Sequence, residues 1–301
     1  MSLPIYERNI NFVGYRRLWY LISLLVIVPG MIALALHGLN LGIDFTGGNL
    51  LQVKFAKEVE IVQVRGVMED LHLGRMVQQA GVGEFLIRTP ELSEQDNARL
   101  RTTLQEKIGT MEVLRNEKVG AVVGKELTHN AYLALAIASV LMLIYITVRF
   151  EYRFALAAII ALLHDVLVTL GFFALFRIEV DSAFVAALLT IIGYSINDTI
   201  VIFDRIRENL GLLRKEPIQE VVNRSICQTL VRSIATVSTV IMALVALMVL
   251  GGETTKVFAL AMLVGTVCGC YSSIFNASPL WVDLTNLTQK KRLSPARATA
   301  R

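Results

Sequence analysis

The chain has 301 residues, 54% of them hydrophobic and 18% charged, against about 25% charged in soluble domains, which excludes an ordinary soluble globule. Three cysteines and six prolines exclude a disulfide scaffold and a proline-rich disordered chain. A formal charge of +4 is too weak for a nucleic-acid partner, so none is expected.

A helix needs roughly 20 mostly apolar residues to cross about 30 Å of hydrocarbon. The first such run, Leu18–Leu36, carries no charge and predicts a transmembrane helix over residues 18–37. Arg8, Arg16 and Arg17 precede it, and Ala33-Leu34-Ala35 inside it resembles a signal-peptidase site. The run is longer than an ordinary signal core and more spans follow, so the reading is a retained first span after a short N-terminal segment, 1–17.

Residues 38–129 read as a small domain outside the bilayer. Residues 48–55 alternate loosely as a strand, and 58–72 carry apolar residues at helical spacing. Glu84–Arg88 is a short strand. Ser93 with Asp96 is a near-match to a capping box and opens a helix running to about Ile108. Met111–Val119 is a further strand. Strands interleaved with helices fit an α+β, ferredoxin-like sandwich of one sheet and two helices. It holds no metal-ligating cluster and no nucleophile–base pair, so a binding or lever module is expected, and neither an enzyme nor a cofactor.

Residues 130–285 carry the remaining five spans: Ala131–Val148, Phe154–Phe176, Ala183–Phe203, Val231–Leu250 and Val257–Val282. A basic tail, 286–301, closes the chain. Lys and Arg in short loops set orientation. With the N-terminus in the cytoplasm, the inner segments 1–17, 149–153, 204–229 and 282–301 hold three, two, five and five basic residues. The short outer loops 177–182 and 251–256 hold only Arg177 and Lys256. Both termini are therefore expected inside, with 38–129 outside. The whole reads as an α-helical polytopic membrane protein with six transmembrane helices.

Ionisable groups within a bilayer are costly and need a reason. Asp198 lies in Gly193-Tyr194-Ser195-Ile196-Asn197-Asp198-Thr199, too deep for a short carboxylate to reach water by extending. Arg232 lies just inside the start of the next span, so an electrostatic pair with Asp198 is plausible; the plainer reading is snorkelling to the inner headgroups. Apolar surroundings favour the neutral acid and a nearby guanidinium favours the carboxylate. A group held between the two can load and release a proton. Ser195, Asn197 and Thr199 are candidates to hydrogen-bond Asp198 or line a wet path, the alternative being a structural polar cluster between helices. His164 and Asp165 sit side by side within another span. They are candidates for a second proton site or for orienting the first. Two intramembrane aspartates also leave open an aspartyl protease dyad.

Several stretches together resemble the SecD/SecF family of the bacterial Sec export machinery, on its SecF side. They are Gly42-Ile43-Asp44-Phe45-Thr46-Gly47-Gly48, Val119-Gly120 with Gly124-Lys125-Glu126-Leu127, Arg149-Phe150-Glu151 with the segment from Ala157 to Asp165, and Gly193 to Val201 with Asp204-Arg205-Ile206-Arg207-Glu208-Asn209. The resemblance covers roughly residues 8–285. It implies half of a transporter of the resistance-nodulation-division type in the bacterial cell (inner) membrane. It implies SecD as partner, SecYEG as channel, SecA as the preceding motor, secreted proteins as substrate and protons as the energy source. The family's functional carboxylate and arginine match Asp198 and Arg232, with Asn197, Asp165 and His164 beside them. Asp44, Gly47 and Gly48 match its junction between membrane and external domain, a structural turn. Half of a small-molecule exporter of the same superfamily is the other reading. The protease reading lacks its Gly-x-Gly before the aspartate, since Asp198 follows Ser195-Ile196-Asn197.

Overall fold

The structure is a computed structural model and describes residues 10–73, 76–213 and 215–293. In chain order it runs α1 (Arg16–His37), a single-turn α2 (Ile43–Thr46), β1 (Gly48–Phe55), α3 (Ile61–Asp70), β2 (Val77–Gly81), β3 (Glu84–Thr89), α4 (Glu94–Lys107), β4 (Met111–Val119), α5 (Ala121–Arg149), α6 (Tyr152–Leu175), α7 (Ser182–Leu212), α8 (Ile218–Leu250), α9 (Glu253–Ser272) and α10 (Ser278–Leu293). A π-helical turn at Ser273–Ala277 joins the last two. Packing divides the chain into two units, residues 41–133 and the residues up to 40 together with those from 134 onward.

In the first unit the sheet order is β2-β3-β1-β4, every pair antiparallel. With α3 and α4 this is the βαββαβ arrangement of a ferredoxin-like domain. The pleat explains the core: Leu51, Val53 and Phe55 alternate onto one face of β1 and meet Phe85 and Ile87 of β3. Val64, Val67 and Met68 of α3 and Leu100 and Leu104 of α4 cover that face. Ser93 caps α4 as expected, its Oγ accepting the Asp96 amide at 3.1 Å. Helix α3 begins at Ile61 rather than residue 58, because Glu60 and Gln63 form a reciprocal capping box there. Strand β2 was not expected. Its sequence, Val-Gln-Gln-Ala-Gly, lacks apolar alternation because it is an edge strand with one neighbour.

Gly47 and Gly48 take φ of 71° and 110°, which L side chains rarely adopt. Space enforces the same choice. A Cβ on Gly48 would stand 2.4 Å from the Thr89 carbonyl oxygen, and one on Gly47 would stand 3.1 Å from Ala121 Cα.

Among the described residues six helices are long and apolar enough to cross a membrane, matching the six expected spans. Several outrun their apolar stretches. Helix α7 continues past Phe203 to Leu212, and α8 begins at Ile218 rather than Val231. The extensions pack on each other through Ile206, Val222, Ile226 and Cys227. Asn209 Nδ2 donates to Ser225 Oγ and Gln228 Oε1, each at 2.8 Å. Helix α10 likewise carries regular structure into the stretch expected as tail; that tail lies outside the described residues from 294 onward.

Small residues let the membrane helices approach. A Cβ on Gly30 of α1 would lie 2.6 Å from Gly171 Cα of α6, so these backbones touch directly. On α9, Gly265 receives the Ile191 side chain and Gly269 lies against Ser195, which seats α9 on α7. Phe154 stacks on Trp281 at 4.5 Å and meets Phe203 at 4.9 Å, closing the core beside the α7–α8 extensions.

Candidate functional site

Asp198 sits midway along α7 and is half-buried. Its Oδ1 accepts the Ser233 hydroxyl of α8 at 2.5 Å. Its Oδ2 is buried with no partner among the described residues. A cavity of about 40 Å³ adjoins it, lined by Tyr194, Asn197, Asp198, Val201, Arg232, Thr236 and Val237. Arg232 lines this same cavity. Among the described residues no ion pair within 4.0 Å joins the two; they line one cavity without forming a salt bridge.

The hydroxyl that holds Asp198 is also not the one expected. Ser195 and Thr199 lie on another face of α7. Ser195 Oγ donates to Asp165 Oδ2, and Thr199 Oγ1 lies 2.9 Å from Ser273 Oγ. Helical geometry accounts for it: with 100° per residue, positions 195 and 199 share a stripe that 194, 198 and 201 do not. Asn197 is exposed and also borders an apolar groove of about 570 Å³ between α5 and α7, lined by Leu141, Met142 and Ile200.

Asp165 has a contrasting setting. It is fully buried and every oxygen is engaged. Oδ1 meets His164 Nδ1 at 2.8 Å, and Oδ2 accepts Ser195 and Ser272, the latter at 2.7 Å. Three elements, α6, α7 and α9, therefore converge on one carboxylate. His164 stacks on Tyr271 at 6.0 Å, and the Tyr271 hydroxyl donates to the Trp19 carbonyl of α1 at 2.8 Å. Asn276 and Ser23 add a second polar tie between the π-helical turn and α1, at 2.8 Å. Pro279, with no N–H to give, follows this turn and tolerates its widened ladder.

The structure thus separates the five intramembrane candidates into two groups on different faces of α7. Asp198, Asn197 and Arg232 border one small polar cavity; Asp165 and His164 belong to a saturated cluster. The first arrangement leaves a carboxylate oxygen free to gain a proton; the second uses all of its acceptors to hold helices. Asp44 lies in the first turn of α2, and Gly47 and Gly48 in the tight turn that follows. Ser233, Ser272 and Tyr271 escaped sequence reasoning because a lone serine or tyrosine in an apolar run looks ordinary. The spacing of Gly265 and Gly269 is a signal that could have pointed to a close partner for α9. Among the described residues no group of three His, Cys, Asp or Glu could hold a metal ion.

The chain is also similar to known proteins. Residues 100–287 match the family described as "Protein export membrane protein SecD/SecF, C-terminal", and residues 32–59 match the "SecD/SecF GG Motif". A protein translocase subunit SecF from Sebaldella termitidis is 44% identical over 279 residues, covering 90% of this chain and 91% of the relative. One from Acidaminococcus fermentans is 45% identical over 284 residues, covering 91% and 97%. The crystal structure of SecDF, a translocon-associated membrane protein from Thermus thermophilus, superposes with a TM-score of 0.86 at 38% identity over 95% of this chain. This chain spans 40% of the length of that one.

Proposed function

The chain belongs to the SecD/SecF family of protein export membrane proteins, and from that premise we propose that it is the SecF-type half of a proton-driven export machine. It pairs with SecD in the bacterial inner membrane and acts at SecYEG after the SecA step, drawing secreted protein outward on the proton motive force. Both termini face the cytoplasm and residues 38–129 face out, in keeping with the loop charges.

One observation carries this reading. Asp198 is a carboxylate within a membrane helix, anchored through one oxygen by Ser233, with the other oxygen unpartnered among the described residues, and it lines a small cavity together with Arg232. Protonation removes the negative charge facing Arg232 and turns an acceptor oxygen into a donor. Both changes act between α7 and α8, so proton loading alters the fit of two neighbouring helices. The turn at Asp44, Gly47 and Gly48 serves as a structural joint, and Asp165 with His164 orients α7 from its other side. The aspartyl protease reading needs two carboxylates sharing a proton; among the described residues no hydrogen bond joins Asp165 to Asp198.

The test is proton-driven export into inverted membrane vesicles with Asp198→Asn. The amide keeps the volume but cannot titrate. Insertion and assembly should be preserved and late export lost. Normal late export with this variant would remove Asp198 from the proton path.

A further inference from the structure

The two edges of the four-stranded sheet are built in opposite ways. An edge strand invites pairing with another strand, and natural proteins blunt such edges with charge, lysine above all. Strand β4 follows that rule. Glu112, Arg115, Glu117 and Lys118 lie along it, and Arg115 pairs with Glu117 at 2.7 Å. Strand β2 does not. From Met76 to Val82 the chain carries no charge, and Met76 and Val82 are 71% and 77% exposed.

The ladder fixes which backbone groups face outward. The Arg88 amide donates to the Met76 carbonyl at 3.0 Å. By the alternation of an antiparallel pair, Met76 and Gln78 then face β3, and Val77 and Gln79 turn their N–H and C=O groups to the open edge. Arg65 of α3 reaches the Val77 carbonyl at 3.3 Å, which places this face of α3 beside the edge. Val62, exposed and three residues before Arg65, shares that face and gives the edge an apolar shoulder on its helix side. A bulge between Gln79 and Gly81 ends the regular edge, so an added strand is held by few bonds and can be released.

We propose that the β2 edge is a docking site for an extended segment of a protein being exported, which joins the sheet as a fifth strand. The proposal deepens the export reading of this chain and rests on it. Two features select that occupant. Main-chain hydrogen bonds recognise an extended backbone whatever its sequence, and an uncharged edge with apolar shoulders fits the apolar stretches a chain exposes before it folds. The regular edge, Met76–Gln79, is only about 13 Å long at about 3.3 Å per residue. It offers too little surface for the roughly 1,200 Å² or more that a lasting protein–protein interface buries, so a transient guest fits it and a permanent subunit does not.

Photo-crosslinking in the full membrane complex tests this, with an exported protein arrested in passage. A photoreactive residue at Met76 should trap the arrested chain, and one at Glu112 on the β4 edge should not. Gln79→Pro removes one outward N–H and spares the ladder to β3, because edge strands accept proline where the N–H faces out. With it the yield from Met76 should fall roughly fivefold, the size of one hydrogen bond. Gln79→Ala keeps the backbone and should leave the yield unchanged. Equal trapping from Met76 and Glu112, trapping of another subunit or a second copy in place of the arrested chain, or a fall in Gln79→Ala as large as in Gln79→Pro would overturn the proposal. Should Gln79→Pro cost the domain its protease resistance, the contrast between Met76 and Glu112 decides alone. Trapping at Met76 with normal export by Asp198→Asn upholds the docking edge and refutes the proton role. No trapping with export lost in Asp198→Asn refutes the docking edge alone, and no trapping with normal export refutes both.

Discussion

Replacing Asp165 by leucine and by asparagine should give very different proteins. Leucine is bulkier than aspartate and withdraws the acceptor that Ser195, Ser272 and His164 share. Ser272 retains the Gly269 carbonyl, 3.2 Å away, as a second acceptor. Ser195 and His164 lose their partner in a buried setting, at about 1–3 kcal/mol each. Contacts between membrane helices tend to the low end, averaging about 0.6 kcal/mol in measured cycles, so a loss of roughly 2–4 kcal/mol is expected for Asp165→Leu. Asparagine keeps an oxygen for the two serines and turns its amide toward His164, with the imidazole then accepting at Nδ1; about 1 kcal/mol or less should be lost. Cys227, 1% exposed on α8, reports unfolding. Its reaction with a thiol-activated fluorophore on heating in detergent ranks the variants, with Cys268 and Cys270 replaced by serine throughout. Leucine should unfold well before asparagine, and asparagine close to wild type. Equal stability of the leucine variant and the wild type would refute the view that Asp165 holds α6, α7 and α9 together.

Arg232→Lys should weaken proton-driven export while leaving protein level and assembly unchanged, because Lys keeps the charge but loses the planar fork; combined with Asp198→Asn it should be no worse than Asp198→Asn alone, as double-mutant export rates would check. Full export by Arg232→Lys would favour simple snorkelling. Gly30→Leu should prevent the α1–α6 approach, since even a Cβ there meets Gly171 at 2.6 Å, and little protease-resistant protein should accumulate. Single cysteines placed in residues 90–110 should react with a membrane-impermeant reagent in intact cells; labelling only after lysis would invert the proposed orientation.

The six spans were legible because bilayer thickness imposes a length and composition that few other constraints produce. The capped start of α4 was legible for a similar reason: Ser93 and Asp96 satisfy a local need that any helix start has. Strand β2 was not, because an edge strand owes its place to β3 rather than to its own pattern. Nor was the true extent of α7 and α8, since their continuation depends on each other's faces. The intramembrane carboxylates stood out at once, as isolated charges in apolar runs. Their partners did not. Which of Ser195, Thr199 or Ser233 bonds Asp198 depends on the rotation of α7 against α8, and that rotation is fixed by packing at Gly265 and Gly269 on α9, far along the chain.

This rotation explains why two aspartates within membrane helices serve different ends. Helix α7 presents Ser195 and Thr199 to the fully buried side, where α9 and α6 press close and no space remains for water or proton. There a carboxylate is tolerable only with every acceptor engaged, and Asp165 meets that condition. The same helix presents Tyr194 and Asp198 to a side where α8 packs less tightly and a polar cavity persists. There a carboxylate keeps an unused oxygen, and the helix can change its charge without dismantling the bundle. Motion of α7 caused at Asp198 would necessarily be felt by the Ser195–Asp165–Ser272 contact, because the two sites are faces of one rigid helix one turn deep. On the proposed proton role of Asp198, the saturated cluster would set how far α7 responds to a proton, and the site at Asp198 would set whether it responds at all.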